Sequence, residues 1–501
     1  MKQYKTYELT YKCDNPYGEI KAEFVHENGE VVNVYGFACG ENEVKVRFYP
    51  AYAGKYSYKI TGEVSDSGIL ECGQADATAS SHGIVKAEGT HFRHEDGKWF
   101  YPFGTTVYAL THQEKPLVDK TMETLKDAPF NKVRMCLFPK HYDYNHNEPE
   151  HFAFLKNESG RFDVNRPCFE FWEEFEARIK ELDGMGIQCD LILFHPYDRW
   201  GFADMSVDEA ETYLDYAIRR LAAFPNIWWS MANEFDLMKY SKEEWLELTH
   251  FVRTNDPYGH LLSNHNCIEF WDFDNEDTTH ICLQIKECNE VSGFIRRYNK
   301  PLMIDECCYE GNIAYEWGNI SGFEMVNRFW LTLSQGGYCT HGETFLSEDD
   351  ILWWSRGGIL KGQSPERIAF LKNIIDSLPE PVTYKGFEFT REKYDEINAD
   401  PSCAENDFWR AVASVPWDRA KGAMLNGKEF AGCSGDNVYI KYMGRTCPGI
   451  TDFHLSPDKE YNVEIIDVWN MTREVIMERV SGSIKVKLPG KEGIALLATE
   501  C

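Results

Sequence analysis

Several familiar signatures are missing from this 501-residue sequence, and each absence narrows what the chain can do. The first residues, Met1-Lys2-Gln3-Tyr4-Lys5-Thr6-Tyr7, contain no apolar h-region, so a secretory leader is not expected. No stretch approaches the ~18–20 apolar residues that cross a bilayer, and no membrane partner is expected. None of the 16 cysteines forms a C-x-x-C pair, and adjacent Cys307-Cys308 would clamp one ion poorly. Cys136, Cys189 and Cys282 lie in apolar runs instead, the pattern of reduced, buried thiols in a cytoplasmic protein. The 15 histidines include neither H-E-x-x-H nor H-x-H, so neither a catalytic metal nor any other cofactor is expected. Positive charge is scarce: 52 Lys and Arg against 81 Asp and Glu give a formal net charge of −29, which repels nucleic acid and anionic membranes.

Aromatic residues are plentiful, with 14 Trp, 27 Tyr and 31 Phe, enough for sugar-stacking surfaces as well as thick cores. The length predicts two or three domains. Residues 1–87 alternate polar and apolar positions in short runs, such as Glu19–Val25 and Val31–Tyr35 around the turn Glu27-Asn28-Gly29-Glu30, predicting a small immunoglobulin-like β-sandwich. Over residues 88–380 apolar runs alternate with amphipathic stretches. Candidate strands are Phe100–Val107, Lys132–Phe138, Ile187–Phe194, Ile227–Ala232, Leu261–Asn264, His280–Ile285, Leu302–Ile304 and Gly337–His341, with helices such as Phe169–Met185 and Ser206–Ala223 between them. Eight strands in that rhythm predict an α/β fold, a (β/α)₈ TIM barrel. A doubly wound sheet is the rival, but no G-x-G-x-x-G opens any of the helices. Beyond Leu378-Pro379-Glu380-Pro381, residues 381–501 return to short alternating strands, predicting a C-terminal β-sandwich that ends in the buried strand Gly493–Ala498.

Chemistry concentrates at two places. The run Ile227-Trp228-Trp229-Ser230-Met231-Ala232 ends in Asn233-Glu234, and Pro301-Leu302-Met303-Ile304 ends in Asp305-Glu306. An acid at the end of a buried strand must be hydrated, paired or functional, because burying it bare is costly. Two glutamates at two such ends are the pair that glycosidic bond cleavage uses, one donating a proton and the other attacking or activating water. Read without a partner, each is as well explained as a loop cap or a rim carboxylate.

Asn-Glu closing the fourth strand and Glu closing the seventh resembles clan A of the glycoside hydrolases, which are retaining (β/α)₈ enzymes. The run Asp96-Gly97-Lys98-Trp99-Phe100-Tyr101-Pro102-Phe103-Gly104-Thr105-Thr106 is similar to the barrel opening of apiosidase-like glycoside hydrolases, which share the three-part layout. That resemblance implies Glu234 as acid/base, Glu306 as nucleophile, Asn233 at a sugar 2-hydroxyl and Arg134 paired with Glu306. Other strand-end residues are candidates for substrate contact: Tyr108 and His112 after the first strand, His141 after the second, and His195, Tyr197 and Trp200 after the third. His265, Gln284, His341, Glu343 and Trp353 complete the set, Glu343 as a third cleft carboxylate and Trp353-Trp354 as a pocket wall. The departure at His341-Gly342-Glu343, where many clan A enzymes carry tryptophan, leaves the sugar undetermined. The expected partner is thus a carbohydrate, cleaved by an exo-acting retaining hydrolase. A carbohydrate-binding protein on an inactive barrel, a transglycosidase and a metal-dependent amidohydrolase remain alternatives. A homo-oligomer is compatible with the sequence.

Overall fold

The computed structural model describes residues 1–77, 82–422 and 428–501. Packing divides the chain into two compact units. The first comprises Met1–Glu287, Gly293–Met325 and Tyr338–Ala369; the second comprises Cys288–Ser292, Val326–Gly337 and Phe370–Cys501. Among the described residues no helix is long and apolar enough to cross a membrane.

The first unit is built on a (β/α)₈ barrel with strands β1 (Phe103–Thr106), β2 (Lys132–Cys136), β3 (Gln188–Phe194), β4 (Ile227–Ala232), β5 (Leu261–Ser263), β6 (Ile281–Gln284), β7 (Leu302–Glu306) and β8 (Tyr338–His341). Every residue of β2, β3 and β4 is buried, as parallel strands covered on both faces require. Parallel hydrogen bonding runs β5-β4-β3-β2-β1-β8-β7-β6. Between β5 and β6, Thr279 takes the place of a ladder: its N–H donates to the Leu262 carbonyl at 2.8 Å and its Oγ1 accepts from the Leu262 N–H at 2.9 Å. The expected helices form at Phe169–Gly184, beyond Pro167, and at Val207–Leu221, opened by a Ser206/Glu209 capping box.

The expected first strand, Phe100–Val107, is in fact two. Pro102 cannot donate to a ladder, so Trp99–Phe100 joins His91–His94 and Val85–Glu88 in a separate antiparallel sheet, and β1 starts at Phe103. That sheet presents Phe92 to Trp228, His280 and Tyr338, with ring centroids 5.0–5.7 Å apart, at the starts of β4, β6 and β8. The N-terminal mouth of the barrel is thereby plugged, which leaves the C-terminal mouth for chemistry.

A charged layer crosses the barrel interior. Lys132 Nζ reaches Asp190 Oδ2 at 2.6 Å and Asp305 Oδ1 at 2.7 Å, and the Thr340 hydroxyl donates to the same Asp305 oxygen at 2.7 Å. Burial works to raise the Asp305 carboxyl, but Lys132 and Arg134 outweigh it and hold the group well below the ordinary range. Lys132→Met should leave two buried carboxylates facing each other without their cation. Unfolding stability should fall by about 3–5 kcal/mol, read as a lower urea midpoint at unchanged slope.

An antiparallel sandwich precedes the barrel. One sheet is ordered Val31–Tyr35, Ile20–His26, Gly54–Gly62, Asp66–Cys72; the other is Tyr7–Lys12, Glu43–Phe48, Phe37–Gly40. Ile20–His26 alternates buried and exposed positions, placing Phe24 on Phe48 at 4.1 Å between the sheets. Arg47, only 2 % exposed, leaves this sandwich for the barrel helices. It donates to Glu8 at 2.8 Å, to Glu176 at 2.5 Å and to the Arg220 carbonyl at 2.6 Å, while Arg220 binds the other Glu176 oxygen at 2.5 Å.

The second unit contains a six-stranded antiparallel sheet in which the final strand, Ile494–Glu500, is central, together with the pair Ile450–His454 and Ser483–Lys487. Phe453, Val463, Val486 and Leu496 form its core. The expectation of strands from about residue 383 onward needs correction. Arg391–Ala399, Asp407–Ala413 and Trp417–Ala420 are short helices gathered around Phe389, Tyr394, Ile397 and Trp409.

Candidate active site

β4 delivers Asn233 and Glu234 to the C-terminal mouth through a strained turn. Glu234 sits at φ 59°, ψ 58°, a left-handed conformation that costs a β-carbon residue ~1–2 kcal/mol. Hydrogen bonds hold it there: the Glu234 N–H meets His265 Nδ1 at 3.4 Å, and the Phe235 N–H donates to the His265 carbonyl at 2.9 Å. β7 ends at Glu306. The β6–β7 register shifts between Leu283 and Gln284, which sets Gln284 opposite Glu306, a use of irregular pairing common beside active sites.

These strand ends line a cavity of about 520 Å³ together with Tyr108, Tyr197, Lys140, Tyr309, Trp317 and Trp354. Tyrosines serve both acids: Tyr108 donates to Glu306 Oε1, and Tyr197 donates to Glu234 Oε2. Tyr108 also lies 2.8 Å from Asn233 Oδ1, to which Arg134 donates at 3.3 Å. The Gln284 amide joins the acids. With its NH₂ turned inward, the orientation that satisfies both ends, its two N–H groups are shared among Glu306 Oε2 at 3.1 Å, the Asn266 carbonyl at 3.2 Å and Glu234 Oε1 at 3.3 Å. Those two carboxylate oxygens can therefore be no farther apart than the sum of the first and last distances.

Burial pushes the Glu306 carboxyl up to about 8, and the Tyr309 hydroxyl pulls the other way. Glu306 nevertheless meets solvent through the cavity, whereas Glu234 is only 6 % exposed. Between the two tyrosines lies the Lys140 ammonium, 3.5 Å from the Tyr108 ring centre, 4.3 Å from Tyr197 and 5.0 Å from Tyr142. Burial lowers this ammonium to about 8, partly countered by Cys136 and Glu234. Its aromatic surroundings return some of the lost solvation through cation–π attraction.

The profile of the apiosidase-like catalytic domain matches residues 86–358, more than half of the chain and all eight barrel strands. The chain belongs to the apiosidase-like family. By that membership it is a glycoside hydrolase. Two domains of unknown function, DUF5060 and DUF5605, match residues 1–63 and 422–499. A "putative glycoside hydrolase" from Bacteroides vulgatus is 32% identical, covers 100% of this chain and 99% of its own, and superposes with a TM-score of 0.85. A glycoside hydrolase family 5 structure, also from Bacteroides vulgatus, shares 16% identity over 84% of this chain and 94% of its own, with a TM-score of 0.60; it shares the fold. No curated protein sequence matches the chain.

In this apiosidase-like barrel seven of the expected residues meet at the cavity: Glu234, Glu306, Asn233, Tyr108, Tyr197, Gln284 and Trp354. The others lie elsewhere. Arg134 makes its hydrogen bond to Asn233 and, among the described residues, no ion pair with Glu306. His195 and His112 are buried with Nε2 at the Phe138 and Leu137 carbonyls, 3.2 and 3.0 Å away, and burial lowers them to about 3 and about 4. His265 sits behind Glu234 as described. Trp200 donates to Glu148 and packs edge-on against His141, outside the mouth. Trp353 donates to Thr105 at 2.8 Å beneath the rim, and its neighbour Trp354 faces the cavity instead. His341 stacks on Phe130, and Glu343 is buried at the Lys361 N–H, so neither is a cleft group. Lys140, Tyr142, Tyr309 and Trp317 were not singled out by the sequence. They arrive on loops, and the only available signal was aromatic density just after a strand.

Proposed function

We propose that the protein is a retaining glycoside hydrolase in which Glu234 is the acid/base and Glu306 the nucleophile, acting at chain ends of short oligosaccharides or glycosides. The observation that carries this reading is the single Gln284 amide within hydrogen-bonding distance of both carboxylates. One amide shared by both acids suits the close pairing of retaining enzymes, ~5–5.5 Å, better than a ~6.5–9.5 Å gap kept open for the water of inverting ones. As the acid, Glu234 would give a proton to the leaving oxygen while Glu306 attacks the anomeric carbon. Water would then release the sugar with Glu234 as base. Asn233, aligned by Tyr108 and Arg134, suits a sugar 2-hydroxyl, and Trp317 and Trp354 suit a ring face. No disulfide forms among the described residues, which supports a reducing, cytoplasmic setting.

A second reading exchanges the two roles, and the elevated Glu306 carboxyl favours it. Covalent trapping separates them. A screen of aryl glycosides, furanosides included, identifies the sugar; its 2-deoxy-2-fluoro analogue should then label a peptide containing Glu306. Label on Glu234 would establish the exchange, and turnover without any covalent adduct would reject a retaining mechanism.

A nucleophile must be ionised, so with the carboxyl raised toward 8, kcat/KM should climb with pH on its acid side. Tyr108→Phe removes a donor to the charged form and raises the carboxyl further. A hydrogen bond to a charged group contributes ~1.5–3 kcal/mol, so the acid limb should move about 1–2 pH units upward. An unmoved limb would assign that titration to another group.

A further inference from the structure

We infer that a second site, outside the catalytic cavity, holds one divalent transition-metal ion through Glu310, His341 and Glu343. All three side chains are buried, at 2 %, 0 % and 1 % exposure, and one donor atom from each lies within 4.8 Å of the others. Among the described residues, His341 Nε2 and Glu343 Oε1 accept or donate no hydrogen bond, and they face each other at 3.5 Å. Lone pairs do not meet in a dry interior without a proton or a cation between them. Donors at ~2.1 Å on one tetrahedral ion stand about 3.4 Å apart, so this pair is already spaced for it.

All three ligand side chains are held in place for such a role. The Lys361 N–H donates to Glu343 Oε2 at 2.7 Å. The Gln363 and Ser364 N–H groups donate to the two Glu310 oxygens at 2.7 and 3.1 Å. His341 Nδ1 meets Thr105 Oγ1 at 3.1 Å, the outer contact that turns Nε2 into the ligating atom. The nearby ammonium of Lys361 does not neutralise the acids, because it binds Ser347, Asp349 and the Ile351 carbonyl. Gly362 keeps the space open: a Cβ there would come within 2.5 Å of Glu310 Oε2 and 2.6 Å of Glu343 Oε1.

One imidazole with two carboxylates suits Zn²⁺ or Mn²⁺ better than Ca²⁺, which wants six to eight oxygens. Glu310–Gly311 and Glu343–Thr344 pair as a short parallel ladder, so the ion would pin together the segments that follow β7 and β8. Tyr309, beside Glu310, is cavity wall. The role is therefore structural, fixing that wall. The donors are split between a lone glutamate and a His-x-Glu, which is why no sequence motif announces them.

The test begins with full-length protein stripped by a chelator and titrated separately with Zn²⁺, Mn²⁺ and Ca²⁺. Zn²⁺ should bind at about one equivalent per chain and raise Tm by several degrees. Ca²⁺ should do neither. X-ray absorption of the Zn²⁺-loaded wild type should show one imidazole with oxygen donors and no sulfur. Glu343→Gln, which keeps an acceptor for Lys361, and Gly362→Ala, which fills the space, should both abolish the Tm response. Failure of the stripped wild type to bind any cation, a sulfur-containing shell, or undiminished binding by both variants would overturn the assignment.

Discussion

Glu306→Gln should lower kcat/KM by roughly 10⁴-fold or more while the protein stays folded, because about 5 kcal/mol or more of transition-state stabilisation goes with a covalent catalyst. The amide is nearly the same shape and can still accept from Tyr108, so the cavity should keep its form and circular dichroism should be unchanged. In Glu306→Gly, which vacates the space facing the anomeric carbon, added azide can enter. With a reactive aryl glycoside it should restore turnover and yield a glycosyl azide of inverted configuration. Restoration with retained configuration would place the nucleophile at Glu234. Unimpaired hydrolysis by the variant would remove Glu306 from the chemistry altogether.

Glu234→Gln should behave differently, and the difference is diagnostic. General acid catalysis contributes ~10²–10⁴-fold, but only when the departing oxygen needs a proton. Rates on alkyl glycosides or oligosaccharides should fall by that amount. With a highly acidic phenol as leaving group, formation of the glycosyl-enzyme should slow little, and the intermediate should accumulate because water lacks its base. A burst of phenol followed by slow turnover is the signature to look for. Equal losses across leaving groups would argue against the acid/base role. Glutamine also inherits the left-handed backbone at this position, so a comparison with Glu234→Gly separates lost chemistry from relieved strain.

The barrel could be read from the sequence because its strands announce themselves as continuous apolar runs. β3 and β4 were placed within a residue of where they lie. The same property hid the direction of the strand-end side chains. A strand buried on both faces shows no alternation, so nothing told whether Arg134, His195 or His341 points into the mouth or into the wall. The two glutamates were legible for a different reason: a carboxylate at the end of a buried strand must be hydrated, paired or functional. Lys140 and Tyr309 had no such marker: loops carry no period, and their convergence depends on the closed barrel. Pro102 was visible but was read as part of a strand, although its missing N–H breaks the ladder there. The helices within 391–420 were missed because each spans only one to three turns, too few for a 3.6-residue pattern to stand out among charged residues.

The Arg47 cluster bears on how the polypeptide can be divided. Removing residues 1–87 to obtain a bare barrel would take Arg47 and Glu8 away and leave Glu176 and Arg220 as a stripped pair on a newly wetted apolar face that includes Phe224. The leading sandwich is thus less an appendage than a piece of the enzyme's outer wall, and the two should melt as one cooperative body.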